Sequence, residues 1–186
     1  MTATCATPIG DETMVDYWSA GLPLQQAEAL EEHVFCCSDC AARLESVAAM
    51  ADGITSLARQ GRISGIISRA LLNRLQRDGV RVRVYSLSPG DVVPCAVFAD
   101  DDLVVTSLRG DFAGADAVTI SVIGSAPLSN TILEDVPVAA AEGELLWAAP
   151  GSLIRQMPTS RVTLVVTAGR ANGPTLSEYV LDHTAG

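Results

Sequence analysis

The 186-residue chain has no lysine, few aromatic residues and a formal net charge of −10. This acidic balance argues against binding to nucleic acid or to an anionic membrane, because like charges repel. The sequence has no run of eighteen apolar residues, so we expect no segment to cross a membrane. Its first residues have neither the basic nor the apolar region of a signal peptide. We therefore expect a cytoplasmic protein.

Cysteine is also scarce, and its distribution does not suit a secreted disulfide framework. The five cysteines are odd in number, and two of them are adjacent. Recurring catalytic motifs are missing as well, so we expect no enzymatic activity. Ser177, Asp182 and His183 lie close in sequence but fit no nucleophile motif. We expect His183, three residues from the C-terminus, to lie on the surface.

Residues 33–40 hold four of the seven cysteine and histidine residues of the chain. The spacing is His33, three residues, Cys37, two residues, Cys40. Two cysteines separated by two residues can place both thiolates on one tetrahedral metal, and His33 can add a third ligand from the preceding helix. Sulfur and imidazole ligands favour zinc over magnesium or calcium, which prefer oxygen. The alternative is that these cysteines serve as small apolar core residues.

Charge divides the sequence into three blocks. Residues 1–52 carry a net charge of −8, residues 53–83 carry +6, and residues 84–186 carry −8. Because hydrophobic periodicity changes with charge, we predict three segments. They are a helical metal-binding domain over 1–52, a basic amphipathic helix over 53–79 and a β-domain over 80–186. The fold class is therefore α+β with two domains, a small helical bundle followed by an all-β sandwich or barrel.

The first block is expected to form three short helices. Asp11 can cap the first, Pro23 suits the first turn of the second, and Ser38 or Asp39 can cap the third. Cys37 and Cys40 would then flank the N-terminus of the third helix, where the helix dipole favours thiolate. Three such helices bury too little to be stable alone, and a bound metal is a common remedy.

The second block predicts one longer helix over about 54–78. Its arginines surround an apolar stripe, although Gly61 and Gly65 weaken the helix or permit a bend. In one interpretation the stripe docks on a partner protein; in the other it packs against its own chain. The candidate partner-binding side chains are Ile63, Ile66, Ile67, Leu71 and Leu75.

From residue 80 onward the hydrophobic pattern changes to period two, which is typical of strands. Turn residues separate about eight short strands, and no intervening helix is predicted. This pattern favours a β-sandwich or a related barrel. The acidic triplet at 100–102 is expected to form a solvated turn. The predicted strands cover 80–85, 92–98, 103–108, 117–123, 136–140, 144–148, 161–168 and 175–181.

The stretch DYWSAGLP at 16–23, the acidic helix after it and the His33, Cys37 and Cys40 spacing together resemble the zinc-binding anti-sigma factor family. The resemblance covers roughly residues 8–76. It implies a small helical bundle that binds an extracytoplasmic-function sigma factor and keeps it from RNA polymerase. It also implies that His33, Cys37 and Cys40 bind zinc and that 54–77 is a fourth helix that grips the sigma factor.

The remaining ligand of that family lies near the start of the first helix, where this chain reads Thr7-Pro8-Ile9. Cys5 lies just upstream, and we predict it as the fourth ligand. Cys36 is an alternative, although as the neighbour of Cys37 it should point elsewhere; water is another. Some relatives carry a cupin metal site, which one histidine in the β-domain cannot supply. The function implied is anti-sigma factor; the alternative is a zinc-stabilised regulatory or ligand-binding module that binds no sigma factor.

Overall fold

A computed structural model describes residues 5–112, 114–124, 131–138 and 143–185. Within these residues the chain forms five helices and nine strands. The helices are α1 (Asp11–Ser19), α2 (Leu24–Cys36), α3 (Ser38–Arg59), α4 (Arg69–Arg77) and α5 (Gly151–Arg155). The strands are β1 (Gly65–Ile67), β2 (Val82–Leu87), β3 (Val92–Ala96), β4 (Leu103–Arg109), β5 (Ala117–Ile123), β6 (Thr131–Pro137), β7 (Glu144–Pro150), β8 (Ser160–Ala168) and β9 (Thr175–Thr184).

The strands form two separate sheets. One has the order β1-β7-β4-β2, and the other has the order β3-β9-β8-β5-β6. Neighbours are antiparallel except for two parallel pairs, β2 with β4 and β3 with β9. The main apolar cluster draws on both sheets, from Val104 and Trp147 in the first to Leu164 and Tyr179 in the second. The described strands therefore enclose one core between two sheets, so of the two predicted alternatives, sandwich or barrel, the barrel is wrong.

Strands β4 and β7 are buried on both faces. Val104 and Leu108 point into the core between the sheets, whereas Leu103 and Val105 belong to a second apolar cluster. Six consecutive residues of β4, from position 103 to 108, are buried. Strands covered on both faces read as continuous apolar runs rather than as alternating ones. Something must therefore cover the outer face of this sheet.

Helix α4 and the end of α3 provide that cover. Leu72 and Leu75 of α4 and Ala58 of α3 are fully buried in the second cluster, where they join Leu146 and Ala148 of β7. Ser68 caps α4 by accepting a hydrogen bond from the Leu71 backbone N–H at 3.2 Å. The molecule is thus a mixed helix-and-sheet protein with a helical layer on the four-stranded sheet.

The single helix expected over 54–78 is wrong. Helix α3 ends at Arg59, strand β1 follows, and α4 begins at Arg69. Gly61 and Gly65 lie between the helices with φ of +62° and +148°, conformations that strain other residues. Strand β1 pairs antiparallel with β7, so this segment completes the sheet edge. The boundary predicted at residue 52 lies within α3, and the three-segment division stays a prediction.

Most predicted strands occur close to their expected positions, with two differences. The strand expected at 136–140 lies earlier, as β6, and residues 139–140 are outside the described part of the chain. Between β7 and β8, where a turn without a helix is expected, Gly151–Arg155 form helix α5. Gly151 is needed there because a Cβ atom would lie 2.1 Å from the Asp101 backbone oxygen. The expectation of no helix among the strands is therefore wrong.

The acidic turn at 100–102 is not simply solvated. Asp101 is 7% exposed and accepts a 2.6 Å hydrogen bond from Arg83 Nε, while Asp102 pairs with Arg81 at 3.0 Å. Partial burial opposes ionisation of Asp101, but the Arg83 guanidinium outweighs it and holds the pKa of Asp101 below its ordinary value. These ion pairs join the turn to β2. They occupy the carboxylates that a cation would otherwise need.

Two arginines of α4 hold the C-terminal end of α1. Arg74 Nη1 donates to the Trp18 carbonyl at 3.1 Å, and Arg77 Nη2 donates to the Ser19 carbonyl at 2.8 Å. The Arg74 guanidinium also lies 4.7 Å from the centroid of the Trp18 ring. Cations suit this position because the last carbonyls of a helix lack intrahelical partners. Across the described residues, no helix is both long and apolar enough to cross a membrane.

The burial of α4 predicts that alanine substitutions at two leucines differ greatly in their effect on stability. Leu75→Ala removes a side chain that is fully buried against the sheet, and should lower the free energy of unfolding by about 2–5 kcal/mol. Leu24→Ala is the matched control, because Leu24 is 76% exposed. This substitution should change the free energy of unfolding by less than about 0.5 kcal/mol. Denaturant unfolding measures both. Equal small effects would contradict this packing.

Candidate metal centre

The four predicted metal ligands lie together. The ligand atoms of Cys5, His33, Cys37 and Cys40 all lie within 4.8 Å of one another. Cys40 is buried, and the other three are half-buried. Thirty-five residues separate Cys5 from Cys40, so the fold rather than local sequence brings them together. Cys5, predicted as the fourth ligand, thus lies close enough to the other three to share a metal ion with them.

Two of their separations match those of tetrahedral zinc coordination. The Cys5 Sγ and Cys40 Sγ atoms are 3.9 Å apart, and Cys5 Sγ lies 3.5 Å from His33 Nε2. Zinc bonds to sulfur and nitrogen at tetrahedral angles place two sulfurs roughly 3.8 Å apart and a sulfur and a nitrogen roughly 3.6 Å apart. A disulfide is excluded, because its S–S length is about 2.05 Å. All five cysteines are free thiols.

Two helices position three of the ligands. His33 lies in the last turn of α2, and Cys40 lies in the first turn of α3. Cys37 is at once the C-cap of α2 and the N-cap of α3, with an extended backbone at φ −126° and ψ 103°. This one extended residue turns the chain sharply between two helices. The sequence therefore brings the three side chains together locally.

The N-terminus of α3 also adjusts the chemistry of a ligand. The Cys40 backbone N–H donates to the Cys37 sulfur and lowers the pKa of Cys37 to about 7. Desolvation, in contrast, raises the pKa of Cys5, and the neighbouring Cys37 and Cys40 raise it further. Three thiols held this close disfavour three negative charges unless a cation is present. A divalent metal ion supplies that charge and displaces the thiol protons.

Asp39 is a residue of the site that sequence reasoning considered only as a helix cap. Its Oδ2 atom accepts a 3.2 Å hydrogen bond from the Cys5 backbone N–H. No side-chain hydrogen bond from Asp39 to its own helix is present among the described residues. The carboxylate instead ties the N-terminal segment to α3. A carboxylate one residue before the second cysteine of the pair is the only sequence signal for this role.

The other candidate residues lie elsewhere. Cys36 is exposed and outside the cluster, as expected of a neighbour of Cys37. The predicted partner stripe faces its own chain: Ile67 and Leu75 are buried, Ile63 and Leu71 pack on the second cluster, and Ile66 packs on the core between the sheets. Ile67 is buried because α4 and β1 cover the outer face of the sheet, whereas Ile66 and Leu71 are half-buried. The interpretation in which the stripe packs on its own chain is the one observed.

The described residues thus define a mixed helix-and-sheet protein that carries a group of three cysteines and one histidine able to hold a metal ion. Neither a family model nor a curated protein matches the chain.

Replacing a ligand tests the centre directly. Cys37→Ser removes a thiolate, and should abolish binding of one Zn²⁺ per chain and reduce the helical content of the N-terminal segment. Structural zinc supplies on the order of 10 kcal/mol in small domains, so the effect should be large. Cys36→Ser is the matched control and should retain both. Metal analysis and circular dichroism measure the outcome; full helical content without metal would contradict it.

The Asp39 contact predicts a smaller effect on affinity. Asp39→Asn weakens the hydrogen bond that holds Cys5, and should weaken zinc binding by about 10-fold, at the low end for residues that orient ligands. Asp52→Asn is the control, because Asp52 lies on the same helix but is exposed and outside the cluster. Competition with a chromogenic chelator gives both affinities. Identical values for the two variants would show that Asp39 does not position the ligand.

Proposed function

We propose that the chain is an anti-sigma factor whose N-terminal helices, stabilised by one zinc ion, bind and sequester an extracytoplasmic-function sigma factor. The observation that carries the proposal is the cluster of Cys5, His33, Cys37 and Cys40. The sequence context of three of these residues resembles the zinc-binding anti-sigma factor family. The chain would act by binding rather than by catalysis, as a cytoplasmic protein.

The small core of the helical segment supports a stabilising role for the metal. Only seven residues of the three helices are buried, and two of them, Met14 and Leu30, are large apolar side chains; the other five are Ser19, Cys40, Ala51, Thr55 and Ala58. The free energy gained by burying so few side chains does not offset the conformational entropy that three helices lose on folding. A zinc ion that joins the N-terminal segment, the end of α2 and the start of α3 supplies the missing free energy. In this proposal 1–52 is a zinc-stabilised bundle and 80–186 is a second domain.

Exposed apolar side chains on the same helices support partner binding. Phe35 is 94% exposed, Leu24 is 76% exposed and Met50 is 62% exposed. These side chains do not share one depression, since Leu24 lies beside Tyr17 and Trp18 whereas Phe35 lies beside glutamates of α2. Because the stripe of α4 is covered by the sheet, the proposal places the sigma-factor contact on these side chains of α2 and α3 instead.

The surroundings of Phe35 indicate the charge of the partner. Phe35 shares a surface depression with Glu28, Glu31 and Glu32, all on α2. Such a surface suits an apolar pocket bordered by basic residues, as expected for a DNA-binding protein. Complementary charge speeds encounter and disfavours wrong partners. The mechanism would be steric, because the helices would cover surfaces of the sigma factor that otherwise bind polymerase or promoter.

The alternative function is a zinc-stabilised regulatory or ligand-binding module that binds no sigma factor. An adjacent sigma-factor gene would favour the first proposal. Co-purification of the zinc-loaded chain with that sigma factor tests it directly. Failure to bind the sigma factor, with zinc bound and helices intact, would leave the alternative function.

Phe35 gives the sharpest test of the surface. Phe35→Ala should weaken sigma-factor binding by about 10-fold or more, because exposed aromatic residues that enter a partner pocket often contribute more than 1.4 kcal/mol. The control is Phe98→Ala, since Phe98 is 56% exposed but lies between β3 and β4 and should leave affinity unchanged. Calorimetric titration gives both constants. Equal affinities would place the interface away from α2.

A further inference from the structure

The five-stranded sheet has one face in the core and one face toward solvent, because successive side chains of a strand point to opposite faces. Strand β9 shows this division: Tyr179, Leu181 and His183 are buried, and the residues between them are more exposed. Our expectation of a surface position for His183 is therefore wrong. Helices cover the outer face of the four-stranded sheet, whereas large apolar side chains on the outer face of the five-stranded sheet are exposed.

An uncharged band of side chains crosses all five strands on this outer face. Strand register aligns its members in two neighbouring rows, and three of the apolar ones are more than half exposed. Neighbouring apolar side chains exposed on a sheet are typical of an interaction surface. The band consists of Val92, Val180, Thr163 and Ile123 in the first row and of Val165, Ser121 and Ile132 in the second.

The two edges of this sheet are protected against pairing with another strand. On β3, Pro94 has no N–H to donate, and the Tyr85 hydroxyl bonds to both the N–H and the carbonyl of Ala96. On β6, Glu134 and Asp135 lie opposite one residue of β5 as a bulge, with Asp135 at φ +52°. Prolines, bulges and edge charges all disfavour edge-to-edge association. The face, rather than an edge, is therefore the part of this sheet open to a partner.

Charged side chains border the uncharged band along β8 and β9. On one side Arg161 forms an exposed ion pair with Asp182, with 2.8 Å between Nε and Oδ1. On the other side Glu178 is exposed, two residues before Val180 of the first row. A half-turn about the first row exchanges these two sides. It places Arg161 of one copy of the chain opposite Glu178 of a second copy, so the surface is complementary to itself.

The face is also large enough for a dimer. Strands lie about 4.8 Å apart and rise about 3.3 Å per residue, so five strands of roughly seven residues span about 24 Å by 23 Å. Two such faces in contact bury roughly 1,100 Å² in projection, which exceeds the area of about 1,000 Å² that a specific interface requires.

We propose that the outer face of the five-stranded sheet is the interface of a symmetric dimer of this chain. The two-fold axis runs along the first row, so that the uncharged band packs on itself and Arg161 of each copy pairs with Glu178 of the other. Identical patches meet in this way across a two-fold axis, and two sheets pack face to face in the same manner as in a β-sandwich. The interface uses no residue of the metal centre or of the proposed sigma-factor surface, so the two proposals stand or fall separately.

Sedimentation velocity of the zinc-loaded chain across a concentration series tests the dimer. The unmodified chain should change from monomer to dimer as its concentration rises. Ile123→Asp places a charge within the uncharged band, and should raise the dissociation constant by about 10-fold or more. Met50→Asp is the matched control, because Met50 is also more than half exposed but lies on α3; it should dimerise like the unmodified chain. Circular dichroism establishes that each variant is folded.

Charge exchange tests the two-fold geometry. Arg161→Glu and Glu178→Arg each bring like charges together at both contacts of the dimer, so each variant alone should be monomeric where the unmodified chain is mostly dimeric. An equimolar mixture of the two should dimerise again, because opposite charges then meet at both contacts. An unmodified chain that stays monomeric at millimolar concentration, an Ile123→Asp variant that dimerises normally, or a mixture that stays monomeric would each overturn the proposal. If Ile123→Asp does not fold, the exposed charge variants decide it.

Discussion

The two-sided burial of β4 and β7 is the constraint on which the rest of the structure depends. Each strand places alternate side chains in two apolar clusters, one between the sheets and one beneath the helices. The first cluster requires the five-stranded sheet, and the second requires α4, β1 and the end of α3. Burying apolar surface lowers the free energy by about 25 cal/mol per Å², so both covers stabilise the fold. The basic segment is therefore part of the sheet assembly rather than a free linker.

The N-terminal helices are organised by a different interaction. Their few buried side chains give little hydrophobic stabilisation, whereas the Cys5, His33, Cys37 and Cys40 cluster joins three parts of the chain at one point. Several apolar side chains of α2 and α3 therefore remain at the surface. Helices that do not need those side chains for their own core can present them to another protein.

Local patterns made part of the structure predictable. The spacing of His33, Cys37 and Cys40 located the candidate site because one helix end, one extended residue and one helix start bring them together. Cys5 required the resemblance to a known family, since its contacts are long-range. Period-two alternation identified most strands, but it does not give their order or the two parallel pairings. Those depend on which strand edges meet in the folded chain.

The errors have specific physical causes. Apolar residues of α3, β1 and α4 follow one another at spacings that imitate a single helix, whereas Gly61 and Gly65, both at positive φ, mark the break. His183 is near the end of the chain, yet it belongs to β9, whose alternate residues are buried. Asp101 is charged, yet Arg83 allows its burial. In each case a tertiary contact outweighs the local signal.

The arginine contacts at the end of α1 have a mechanical consequence. Arg74 and Arg77 fix the carbonyls of Trp18 and Ser19 to α4, which itself packs on the sheet. The opposite end of α1 follows Cys5 by only six residues and is held through the metal-ligand cluster. The start of α1 is also held without the cluster, because Asp11 forms an ion pair with Arg43 of α3 and Met14 is fully buried. Loss of a metal ion bound at the cluster would therefore release the segment before α1 and leave α1 itself anchored at both ends.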